Sequence, residues 1–170
     1  MDDQRFWAMI EQAWPSTSQA ARLRRRAISG KLAGADEARI ADLLDDMLQR
    51  LGQALEQLGQ ADLLAFDRIL ERKLYELDRE EIHRHTDGSD DGFLYCRGFI
   101  VGLGQEFYEL VSADPARALL DMELEQICYI SDYLYRAKFG QPPPSEISRE
   151  SFSNAAGWSS TDAGMSPAQG

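Results

Sequence analysis

The residues with the densest chemistry lie between positions 80 and 97. Asp87-Gly88-Ser89-Asp90-Asp91-Gly92 matches the opening of an EF-hand loop, which takes oxygen ligands at its first, third and fifth positions and glycine at its sixth. Position twelve is Gly98, where such a loop needs a bidentate glutamate, so calcium is not expected here. The same residues suit the start of a helix. Ser89 or Asp90 can accept free backbone N–H groups, and Asp91 favours the positive end of the helix dipole.

His83 and His85 precede this turn, with Glu80, Glu81 and Asp87 close by. A His–carboxylate pair could do acid–base work, but residues two apart on a helix point to different faces, whereas helical metal pairs sit three or four apart. Arg97 stands alone among Phe93, Leu94, Cys96, Phe99, Ile100, Val101 and Leu103. A guanidinium there must be paired or reach water, and Asp90 or Asp67 is the expected partner. Asp90, Asp91, Arg97, His83 and His85 together form the candidate pocket for a small polar ligand. No residue is assigned a catalytic role, and no metal or cofactor is expected.

The elements that must position these residues are helical. Apolar residues recur at helical spacing through residues 2–139, with no period-two stretch rich in β-branched residues, so the fold is expected to be all-α. The pattern predicts helices over about residues 2–14, 17–32, 36–58, 61–84, 90–111 and 122–139, a compact bundle of five to six. Asp2 or Asp3 is the expected first N-cap. Residues 1–140 read as one helical domain. Residues 141–170, with three consecutive prolines and seven serines, read as a Pro/Ser-rich C-terminal tail, extended or ordered on a partner.

Within the bundle, Gly98, Gly102 and Gly104 predict that another helix crosses closely, since glycine costs helix propensity and must be repaid by packing. A ligand approaching the bare backbone, or a second copy of the chain, is the other candidate for that strip. Cys96 and Cys128 lack CxxC or CxxH neighbours and read as reduced core thiols. Arg22, Arg24, Arg25 and Arg26, the only basic cluster, read as a solvated or ion-paired face.

Arg5-Phe6-Trp7-Ala8-Met9-Ile10-Glu11, Phe66-Asp67-Arg68, Gly88-Ser89-Asp90-Asp91-Gly92-Phe93, Arg97-Gly98-Phe99-Ile100, Gly104, Phe107 and Asp114-Pro115 together resemble the bacterial domain-of-unknown-function 4240 family (DUF4240). The resemblance covers about residues 4–139 and implies a small, mostly helical cytoplasmic domain without an assigned activity. Two places depart from the family pattern: Cys96 replaces an aromatic before Arg97, and Glu80–His85 replace an apolar Leu-Trp segment.

Charge narrows the function classes. Across 170 residues, 29 Asp and Glu outnumber 18 Lys and Arg, for a net charge of −11. Three acidic residues against Arg149 alone in residues 141–170 leave −9 in the body. Such a chain repels polyanions, which argues against nucleic acid and anionic membranes as partners. There is no signal-like N-terminus and no apolar run near roughly 18 residues, so a cytoplasmic location is expected. The expected function is a non-enzymatic acidic module that binds a basic protein, in its sharpest form an immunity-type protein that neutralises a toxin. Asp45, Asp46, Glu80, Glu81 and Asp87 are the expected partner-facing acids. The alternative is a small polar-ligand or metal-binding domain, an enzyme among its forms, built on Ser89-Asp90-Asp91 and Arg97.

Overall fold

The computed structural model describes residues 1–86 and 89–159, without the side chains of Asp90 and Asp91. The regular structure of the described residues is all helical, with no strand. Eight α-helices follow in order: α1 (Asp3–Ala13), α2 (Ser18–Ile28), α3 (Ala35–Glu56), α4 (Gln60–Glu76), α5 (Glu80–His83), α6 (Asp90–Gly102), α7 (Gln105–Ala113) and α8 (Glu125–Phe139). Short 3-10 turns occupy Pro115–Arg117 and Ala155–Gly157. None of the described helices is long and apolar enough to cross a membrane.

The count exceeds five to six because two expected long helices each divide. The stretch 61–84 breaks between α4 and α5, where Arg79 leaves the helical path at φ −134° and ψ 138°. Its guanidinium donates to the Ser112 carbonyl oxygen at 2.8 Å, and Asp78 is drawn to the C-terminal segment. The stretch 90–111 breaks at Gly104, whose φ of +98° disfavours an L side chain. The carbonyls freed there find distant donors: the Trp14 indole donates to Gly102 at 3.0 Å, and Arg24 donates to Leu103 at 2.8 Å. Arg24 also pairs with Glu11, and Arg26 with Asp36, so half of the arginine cluster is bound to neighbouring carboxylates.

Helix starts follow the polar residues that precede them. Asp2 accepts from the Arg5 amide at 2.8 Å, Thr17 from Ala20 at 3.1 Å and Ser89 from Gly92 at 3.1 Å. Ser89 is therefore the cap of α6, and helix replaces loop from Asp90 onward.

One core joins all the long helices. Phe6, Phe66, Phe93, Phe99 and Phe107 are among its largest fully buried side chains. Each contributes on the order of 2–3 kcal/mol by leaving water. α8 packs on α3, α4 and α6. A Cβ on Gly98 would lie 2.5 Å from the Leu124 carbonyl oxygen and 2.7 Å from the Cys128 sulfur, and one on Gly102 would lie 2.6 Å from the Leu124 side chain. The close crossing expected of this strip is made by α8 within the chain. Cys96 and Cys128 are both free and buried.

Residues 141–159 hold no regular element beyond the Ala155–Gly157 turn, yet they lie against the body as a strap, with Arg149 buried. Residues 160–170 lie outside the described part.

Candidate functional site

Two regions stand out among the described residues, a buried polar seam and a largely apolar groove. The first is a seam between α4, α8 and the strap. Asp67 and Glu71 sit one turn apart on α4, both buried, on a side flanked by Phe66, Ile69, Leu70 and Leu74. Arg149 enters from the strap and bridges them, with Nη2 at 2.7 Å from Glu71 and 3.2 Å from Asp67. Its Nη1 donates to the Cys128 carbonyl oxygen, and its guanidinium stands 5.9 Å from the centre of the Tyr129 ring. Ser131 on α8 donates to Asp67 at 2.7 Å, and Ser145 donates to Glu71 at 2.9 Å. Burial alone would lower the affinity of Arg149 for its proton, but Asp67 and Glu71 reverse that, and the net shift is upward.

Just past the end of α4, the buried Asp78 carboxylate receives the rest of the strap. It accepts from the amides of Phe152 at 3.1 Å and Asn154 at 2.8 Å, and from the Trp158 indole at 3.2 Å. Glu80 accepts from Ser159, and that hydrogen bond, with Arg84 adding to it, holds the Glu80 carboxyl below its ordinary range. Burial pushes the Cys128 thiol up to about 12, so the sulfur beneath this seam is a thiol.

Arg97 belongs to the wall of the seam. It is fully buried, donates to the Leu74 carbonyl oxygen at 2.9 Å and to Ser151 at 3.0 Å, and lies 4.8 Å from the centre of the Phe93 ring. Its Nε is buried without an acceptor among the described residues. Burial lowers its pKa, and the nearby Asp78 opposes that shift. The expected Asp67 partner is committed to Arg149 and Ser131 instead.

The other candidate pocket residues divide. His83 is half-buried, its ring 4.9 Å from that of Phe93 and 5.4 Å from that of Trp158, so Phe93 joins it to Arg97. His85 is exposed. Asp87 and the side chains of Asp90 and Asp91 lie outside the described residues. Among the described residues no three His, Cys, Asp or Glu side chains are grouped as metal ligands. The seam's central residues, Asp67, Glu71, Asp78 and Arg149, are not among the expected site residues. Two signals point to them: acids one turn apart on an apolar helix side, and the single basic residue of the tail.

The second region is a groove of about 440 Å³ between α3 and α8, lined by Gly52, Glu125, Gln126, Tyr129, Ile130, Tyr133 and Leu134. Tyr133 is 65% exposed, its ring 6.0 Å from that of Tyr129. Asp45 stands two turns before Gly52 on the same side of α3, and Asp45 and Asp46 are exposed. Neither makes an ion pair among the described residues, and nor does Glu125. Glu81 is exposed as well.

A family model described as a protein of unknown function (DUF4240) matches residues 1–138, and the chain belongs to that family. No curated protein and no solved structure matches it.

Proposed function

The family description assigns no activity, so the function has to come from this chain's own surfaces, and we propose that it is a non-enzymatic binding module for a basic protein. The observation that carries this reading is the groove between α3 and α8. It offers an exposed Tyr133 with the apolar Ile130 and Leu134 beside the unpaired Glu125, and the unpaired Asp45 and Asp46 lie about two turns before Gly52 along α3. Exposed aromatics anchor protein interfaces, and unpaired charge at the rim selects and steers an oppositely charged partner. α3 carries six acidic residues against two arginines, so the partner surface should be rich in Lys and Arg. In its narrowest form the partner is a basic toxin held inactive by this chain, and a gene for such a toxin beside this one would favour that form.

The test is affinity capture with the full chain at low and at high salt. A basic partner retained at low salt, released by salt, and lost with Asp45→Lys/Asp46→Lys and with Tyr133→Ala supports the reading. Capture of nothing at low salt, or of the same partner undiminished by both variants, removes it.

A further inference from the structure

Residues 145–159 lie on the body as a peptide lies on a receptor. Arg149 fills a charged cleft, the amides of Phe152 and Asn154 donate to one carboxylate, and Ser145, Ser151 and Ser159 add hydroxyl contacts at intervals along the segment. All the cleft residues lie within the family part of the chain, residues 1–138, whereas the strap lies beyond it. The cleft is built from the part of the chain that the family model covers, and its occupant comes from beyond that part.

The cleft is chemically incomplete without a cation. Asp67 and Glu71 are like charges one turn apart, removed from water, and among the described residues the body answers them with the Ser131 hydroxyl. Two such carboxylates repel each other, and neither is stable buried without a counter-charge. A guanidinium suits the space better than an ammonium does. Its planar fork reaches Glu71, Asp67 and the Cys128 carbonyl together, as Arg149 does, while a lysine brings a compact charge. A second feature is independent of the acids. Arg97, fully buried in the wall, spends one Nη on the strap's Ser151 and keeps an Nε with no acceptor among the described residues, so the body side still has donor capacity for a segment's oxygen atoms.

We propose that the cleft between α4 and α8 is a binding site for an extended, arginine-bearing peptide segment, and that residues 145–159 are its resident occupant, displaceable by such a segment from outside. The reading is independent of the α3–α8 groove. A tethered occupant competes at an effective concentration on the order of millimolar, so an outside segment meets a cleft that is already filled. Loss of the tethered arginine opens it.

The test uses the full chain carrying Arg149→Ala and a fluorescein-labelled peptide copying residues 143–159. If the variant folds, fluorescence anisotropy should show the peptide binding it about tenfold or more tighter than it binds the parent chain, with no binding by the same peptide bearing Arg149→Ala. If the variant loses its cooperative thermal transition, the peptide added in trans should restore it and the alanine-bearing peptide should not. A folded variant that ignores the peptide, an alanine-bearing peptide that binds equally well, or an unfolded variant that the peptide fails to restore each overturns the proposal.

Discussion

The seam under the strap and the outer side of α3 use the same functional group to opposite ends. Asp67, Glu71 and Asp78 are buried, and each is matched by donors: a guanidinium, serine hydroxyls, two amides and an indole. Asp45 and Asp46 are exposed and make no ion pair among the described residues. Removing a carboxylate from water is so costly that the buried ones must be fully satisfied by the fold itself. The exposed ones cost the fold almost nothing and stay available to act at a distance. Burial thus turns an acid into structure, and exposure leaves it for association.

The largest expected effect breaks the seam. Arg149→Ala leaves Asp67 and Glu71 as buried like charges without their guanidinium and should cost about 3–5 kcal/mol in urea denaturation. A loss below about 1 kcal/mol, the range of an exposed pair, would mean that water already enters the seam and that the contrast with α3 is false.

Acid should next loosen one end of the strap. The folded pKa of Glu80 lies below its ordinary value of 4.5, through its hydrogen bond with Ser159. A depressed carboxylate contributes its stabilisation above the unfolded pKa and loses it as pH falls through the folded one. The Ser159 amide resonance should therefore hold steady from neutral pH to 4.5 and shift below it, while α4 and α8 keep their helical signals. A Ser159 resonance indifferent to acid would detach Glu80 from the strap.

The smallest effect on stability belongs to α3. Asp45→Asn/Asp46→Asn should change the unfolding free energy by no more than about 0.5 kcal/mol. The same variant should weaken capture of a basic partner and flatten its salt dependence. A large stability loss would show these acids to be structural after all.

Much of the fold was legible in the sequence. The helical period of Ile40, Leu44, Met47, Leu51 and Leu55 foretold α3, the Gly98/Gly102 strip foretold a close crossing, and Ser89 foretold the start of α6. These follow from local rules, because apolar spacing, missing side chains and capping oxygens act within a turn or two of chain. The breaks at Arg79 and Gly104 were not legible. Arg79 leaves the helix toward Ser112, and the carbonyls beside Gly104 are satisfied by Trp14 and Arg24, partners far away in sequence.

The candidate site was legible in part. Arg97 reads in the sequence as a cation that must be paired or reach water, and the structure buries it with Leu74 and Ser151 as partners, not Asp67. Asp67 could not be assigned from spacing alone, because Arg149 lies 82 positions away and sits in a segment whose prolines and serines read as a tail.

By itself the sequence determined an acidic, all-α chain, the sides of its helices that turn inward and the places where those helices begin. Only the tertiary structure decided which charges are buried together. Helix period and capping are set by neighbours in the chain, whereas the pairing of buried charges is set by whatever the folded chain brings within hydrogen-bond reach. Here that is Arg149 against Asp67 and Glu71, and the backbone of 152–154 against Asp78.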